Sequence, residues 1–164
     1  MRPAIACAVF LIAAGGSLSF VHPWGNLRDD NTGPAILSGS EVPGDVRGIL
    51  ERNCADCHSN QTHWPVYSRI APVSWLVERD VVRGRTALNF SAWAGMGAED
   101  RIAALARIAA EARGGEMPPK PYALIHSAAL TENENRQVTA WTRAERKRIR
   151  IEAAGHKEKN EEGN

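Results

Sequence analysis

Net charge is almost absent from this chain: 20 Lys and Arg stand against 19 Asp and Glu, leaving +1 over 164 residues. No overall field therefore points to nucleic acid or to acidic lipid. Convincing alternation of apolar and polar residues is also missing, which argues against a half-buried sheet. Internal repeats are absent. Cysteine is scarce, at three residues, too few for a disulfide-stapled scaffold. Charge is missing altogether between Pro3 and Val21. The rest has an ordinary globular composition, with 43% apolar and 24% charged residues overall, so no disorder signature covers most of the chain.

The charge-free segment reads as a targeting element. Arg2 is the only early charge, an apolar run extends from Ala4 to Ala14, and small residues follow at Gly15, Gly16, Ser17 and Ser19. Ser17-Leu18-Ser19 suits a signal-peptidase cut. The same stretch is nearly long enough to span a bilayer. Residues 1–21 are therefore either a signal peptide or a retained membrane anchor, and both remain open. Either way the chain is expected outside the cytoplasm, periplasmic and soluble or held at the inner membrane. Cys7 follows no convincing lipoprotein pattern and is an apolar residue of this segment. That leaves Cys54 and Cys57, and a bridge closing so short a loop would stabilise little.

Those two cysteines lie in Cys54-Ala55-Asp56-Cys57-His58. Two thiols separated by two residues can add to the two vinyl groups of one porphyrin, and the adjacent histidine can give a ring nitrogen to the iron as proximal ligand. Gly115-Glu116-Met117-Pro118-Pro119 supplies the best candidate for the opposite face. The Met117 thioether is a soft, neutral ligand, His/Met ligation raises the reduction potential, and the prolines stiffen the loop. The plain alternative is that Met117 fills a core gap. Met96, between two glycines, reads as packing or loop. His63 sits too near His58 to reach the opposite face, and His126 reads as a surface residue. His22 and His156 carry no signal. A zinc site built on Cys54, Cys57 and His58 or His63 lacks a second ligand pair. A thioredoxin-like redox pair lacks its βαβ surroundings.

Proline and glycine punctuate residues 22–43, which read as a linker. Helices are expected over about 45–53, with Val46, Ile49 and Leu50 on one face, and over about 72–88. A third begins near Glu99 and Asp100 and ends at Gly114-Gly115. A fourth opens with a capping box, Thr131 and Glu134. Its apolar side continues through Val138 and Trp141, and beyond Ala144 charge takes over. Residues 44–148 form the domain, with long loops at 59–71 and 116–130, and 149–164 a charged, disordered tail. Gly48 either lets Trp141 of the last helix come close or is simply tolerated near a helix start, whereas Gly84 blurs the end of the second helix. Trp64-Pro65-Val66-Tyr67 is placed to wall the proximal side, and the five tryptophans divide between haem packing and surface loops. Arg69, Arg83 and Arg85 are candidates for haem propionates, against the plainer reading of solvated arginines. The fold class is all-α, a small cytochrome c-like helical domain whose loops wrap one haem. Such a small domain is short of apolar core, and a porphyrin would supply it.

Cys57-His58-Ser59-Asn60-Gln61-Thr62-His63-Trp64-Pro65-Val66-Tyr67-Ser68, continuing into Ile70-Ala71-Pro72-Val73-Ser74-Trp75-Leu76, resembles the bacterial haem-binding domain family of exported c-type cytochromes. Gly84-Arg85, Leu88-Asn89-Phe90-Ser91-Ala92-Trp93 and Met117-Pro118-Pro119 extend the resemblance over about residues 42–143. Val66 stands where an aromatic would be expected. The resemblance implies one covalent haem c on Cys54 and Cys57, His58 as proximal and Met117 as distal ligand. The leading expectation for function is one-electron transfer to a redox partner protein of unknown identity, because a haem with both axial ligands cannot readily bind and activate a substrate as an enzyme would. A haem-based sensor with an open distal site is the alternative.

Overall fold

The computed structural model describes residues 3–27 and 32–162, and every regular element among them is helical. Arg2, residues 28–31 of the linker stretch and residues 163–164 of the tail lie outside the described residues. The elements are α1 (Pro3–Leu18), α2 (Gly44–Asn53), α3 (Ala55–His58), a 3-10 turn at Val66–Arg69, α4 (Val73–Ala87), a second 3-10 turn at Phe90–Gly95, α5 (Ala98–Gly114), α6 (Lys120–His126) and α7 (Glu132–Glu162). They fall into two compact units. One comprises residues 1–33 and 56–89, the other 34–55 and 90–164.

The second unit holds most of the apolar core. In α5 the residues turned inward are Ala104, Leu105, Ala109 and Ala112, three of them small enough to let α7 pack closely. Val138, Trp141 and Ile149 of α7 face inward, as do Val46, Ile49 and Leu50 of α2. Both ends of the α5–α7 connection are chemically specified. Gly115 adopts the left-handed conformation (φ 69°) and the Glu116 N–H reaches back to the Glu111 carbonyl at 3.2 Å, closing α5. The Thr131 N–H donates to Glu134 Oε2 at 2.9 Å while the Glu134 N–H donates to Thr131 Oγ1 at 3.2 Å, opening α7. Asn135 Nδ2 then donates to the Ala112 carbonyl at 2.6 Å, satisfying an acceptor near the end of α5.

Three features depart from the sequence reading. Ile36 and Leu37 are buried although they lie in the punctuated stretch, and the Leu37 N–H donates to the Phe90 carbonyl at 3.0 Å. Trp93 joins the protein core of this unit rather than a loop or a haem wall, while Trp141 is buried on the apolar side of α7 as expected. Their indole N–H groups donate to Ser40 Oγ (2.7 Å) and the Glu41 carbonyl (2.8 Å). Helix α7 continues to Glu162, through residues expected to form a disordered tail. Ile149 is buried there, and Arg148 bridges Glu145 (2.5 Å) and Glu152 (2.6 Å), spacings that support a helix. Burial pushes the Glu145 carboxyl upward, but hydrogen bonds from Arg148, Ser40 and Glu41 outweigh it and hold the group below the usual glutamate range. The pull of Glu145 raises the Arg148 guanidinium further above its already high value.

The first unit is built differently. Its buried apolar residues among those described are Ala71 and Val81, accompanied by buried Ser59, Thr62, Ser68, Ser74 and Glu78. Ser74 Oγ is buried without a hydrogen-bond partner. Helix α1 buries none of its residues, and no helix among the described residues is long and apolar enough to cross a membrane.

Candidate functional site

Helix α2 stops at Asn53 because Cys54 leaves the helical conformation (φ −130°, ψ −39°) while its N–H still donates to the Leu50 carbonyl at 3.0 Å. A single helical turn comes next, α3, ending on His58. None of the three cysteines is in a disulfide. The motif thus arrives as a short helical turn at the end of a longer helix, with its two thiols and its imidazole in immediate succession.

Within the first unit, the end of α4 orients the His58 ring. Leu88 ends that helix in an extended conformation, its N–H held by the Gly84 carbonyl at 2.9 Å. Its own carbonyl lies 2.9 Å from His58 Nδ1. A carbonyl only accepts, so Nδ1 carries the proton and the imidazole lone pair is placed on Nε2. That is the tautomer a histidine needs to bind a metal through Nε2, with its other ring nitrogen oriented by a backbone acceptor.

Gly84 provides a second constraint. A Cβ at this position would lie 2.3 Å from the Cys57 carbonyl oxygen and 2.8 Å from its carbonyl carbon. Only glycine allows the motif backbone to lie so close against α4. Gly48 has no comparable role: a Cβ there would meet only the Arg52 guanidinium, at 3.3 Å. The close approach of Trp141 considered for Gly48 is therefore not the reason for that glycine.

The loop after His58 is clamped from the same helix. Arg85 Nε donates to the Ser59 carbonyl (2.8 Å) and its Nη2 to Thr62 Oγ1 (3.1 Å). Thr62 Oγ1 in turn donates to the Asp56 carbonyl at 2.7 Å. The His63 N–H donates to Asp56 Oδ1 at 2.9 Å, with His63 Nδ1 3.1 Å from the same oxygen. Asn89 Nδ2 donates to Asn60 Oδ1 at 2.8 Å. Arg85, a propionate candidate in the sequence, thus has a structural task on the loop, and His63 is a loop residue. The Cys57 thiol is pushed up to about 11, first by burial and then by Asp56 and Asp80, with Arg85 opposing, so at neutral pH it is protonated.

Met117 belongs to the second unit, between α5 and α6, and is 39% exposed. Met96 comes just after the second 3-10 turn, its N–H on the Trp93 carbonyl at 3.1 Å. His126 stacks on Tyr122 with ring centroids 4.3 Å apart. His22 Nδ1 lies 2.7 Å from Glu78 Oε1, an interaction the sequence reading missed. Its only sequence signal was a histidine just past the apolar segment. His156 Nδ1 reaches the Glu152 carbonyl at 2.8 Å. Among the described residues no three His, Cys, Asp or Glu side chains gather at metal-holding separation, so a zinc reading rests on the motif's own spacing alone.

A porphyrin fits the residues present in two respects. His58 has the tautomer an Nε2-bound iron needs, and among the described residues its unit buries only Ala71 and Val81 as apolar core, a deficit a large apolar ring would fill. Residues 13–144 match the family model described as a haem-binding domain. No curated protein and no solved structure matches the chain significantly.

Proposed function

The chain belongs to the haem-binding domain family, and on that premise we propose that it carries one haem c covalently and passes single electrons as an exported redox module. The carrying observation is the hydrogen bond from His58 Nδ1 to the Leu88 carbonyl, which orients Nε2 for iron. Cys54 and Cys57 would be the attachment thiols, each able to hold the haem through a thioether formed by addition of its S–H across one vinyl group. When bound, haem iron supplies a one-electron couple between Fe(II) and Fe(III). Gly84 and Arg85 hold the motif backbone and the loop after it, keeping the imidazole in one orientation.

Met117 is the proposed distal ligand; with His58 and Met117 both held to it, a haem would offer no open position for a substrate, which argues against an enzyme. Export places the chain in the periplasm, soluble or associated with the inner membrane through its N-terminal segment, with a redox protein as partner. A second reading, a haem-based sensor or small-ligand binder, is favoured by one observation. Met117 is more than a third exposed, and the adjoining helix α6 buries none of its residues, so its ligation would be weak and displaceable.

Spectroelectrochemical titration of the haem-loaded chain tests the proposal. A single one-electron wave is expected, with a methionine-to-iron charge-transfer band in the ferric form that Met117→Ala abolishes. Absence of any reversible wave would overturn electron transfer. Survival of the band in Met117→Ala would move the distal ligand to Met96.

A further inference from the structure

The segment leaving α1 is not a loose tether. Ser19 Oγ donates to the Gly15 carbonyl at 2.7 Å, closing the last turn of α1, and accepts from the Ala71 N–H at 3.0 Å. Two residues on, the Val21 carbonyl accepts the Trp75 indole N–H at 2.8 Å. The next residue, His22, meets Glu78 at 2.7 Å, with the glutamate side chain only 1% exposed. Three attachments within four residues fasten the exit of α1 to the start of α4 and the turn before it. All of them lie inside the first unit, the unit that contains Cys57 and His58. The family match begins at residue 13, within α1, so the last part of this helix belongs to the domain as the family defines it.

The surface around these attachments is apolar. Phe20 is 86% and Ile70 57% exposed, with Val21 and Trp24 also exposed. They continue directly from α1, which carries no charge and exposes Val9, Phe10, Leu11 and Ile12. A helix of 16 residues is about 24 Å long, short of the roughly 30 Å hydrocarbon core. A short apolar element of this kind draws its flanking residues into the interface. We propose that α1 is retained in the mature protein and embedded in lipid, and that Phe20–Trp24 with Ile70 form a foot seated in the bilayer interface. The absence of charge from Pro3 to Val21 makes neutral lipid sufficient. The inference rests on the export reading given under the proposed function. Because the foot and His58 share one compact unit, the foot sets the height of the haem iron above the membrane. Redox partners are thereby restricted to those that exchange electrons close to the bilayer surface.

The test uses the full haem-loaded chain with Cys7→Ala and one introduced cysteine, Ile70→Cys or, as control, Ile151→Cys on α7. Each is labelled with an environment-sensitive fluorophore and reconstituted into phosphatidylcholine vesicles. Intact mass of protein extracted from membranes establishes whether residues 1–21 remain. The expected result is an intact N-terminus, a blue shift at position 70 on adding vesicles, and quenching there by brominated lipid, with no change at 151. A mature protein cut after Ser19 would overturn both the retained anchor and the foot. An intact N-terminus with position 70 as insensitive as 151 would overturn the foot alone. A blue shift at 70 without lipid quenching would assign the surface to a second copy of the chain and also overturn the proposal.

Discussion

Replacing Gly84 by alanine opposes two effects of known sign. Helix propensity favours alanine by about 1 kcal/mol at an interior position. The added Cβ, however, would lie 2.3 Å from the Cys57 carbonyl oxygen and 3.0 Å from the Cys57 Cβ. The nearest atoms are backbone on the neighbouring segment, so no side-chain rotation relieves the contact. Either α4 or the haem-attachment turn must move, and overpacking of this kind costs about 1–3 kcal/mol, at times more. Because backbone meets backbone, the steric cost lies at the upper end of that range, and after the propensity gain the net destabilisation is about 2 kcal/mol, or roughly 4–8 °C in Tm for a chain of this size. Gly48→Ala is the internal control. Its Cβ would meet only the end of a flexible, 61% exposed Arg52 side chain, so the propensity term prevails and stability rises by up to about 1 kcal/mol. Thermal melts of the two haem-loaded variants, with haem content per chain measured alongside, decide the matter. Gly84→Ala should melt lower and retain less haem, Gly48→Ala should melt slightly higher with full haem. A Gly84→Ala protein as stable and as fully loaded as Gly48→Ala would refute the close approach of α4 to the motif.

The geometry carries three further expected outcomes. Arg85→Ala removes two charge-assisted hydrogen bonds from the loop after His58 and should cost about 1.5–3 kcal/mol, read by urea unfolding, with haem loading falling in parallel. Trp93→Ala empties a fully buried site and removes the indole hydrogen bond to Ser40, costing about 3–5 kcal/mol by the same assay. The Thr131 N–H, helped by the Thr131 hydroxyl and Arg52, holds the Glu134 carboxyl below the usual glutamate range against the opposing effect of desolvation. A carboxyl depressed in the folded state stabilises above its unfolded value and loses that contribution as pH falls through the folded one. Urea midpoints should therefore fall less steeply with acid in Glu134→Gln, which keeps an oxygen to accept the Thr131 N–H and at neutral pH loses only the charge near the helix start, about 0.3–1 kcal/mol.

Elements long enough to show a period or carry a cap were legible in the sequence. Helices α2, α4 and α5 lie within a residue or two of their expected bounds, and Thr131 and Glu134 open α7 as their spacing indicated. The turns α3 and α6 and the two 3-10 turns are too short to display periodicity. Ile36 and Leu37 were hidden among prolines and glycines, where burial depends on tertiary partners such as the Phe90 carbonyl. The far end of α7 looked like a solvated charge run because its stabilisation comes from ion pairs and one buried isoleucine rather than an apolar stripe. At the site, the motif was visible from chemistry alone. Its supports were not: Leu88 is 30 residues from His58, and nothing in the sequence distinguishes Gly84, which a neighbouring backbone presses, from Gly48, which meets only an arginine tip. Arg85 was noticed for its charge, but its loop-clamping task appears only when Ser59 and Thr62 are in place.

The central claim is covalent attachment of one haem through Cys54 and Cys57. Intact mass of the chain, produced with haem-attachment machinery and then denatured and extracted with acidified acetone, tests it directly. The account predicts a polypeptide heavier by one haem that survives extraction, and no such adduct in the Cys54→Ser, Cys57→Ser double variant. A wild-type chain that emerges from extraction at its bare polypeptide mass would contradict it.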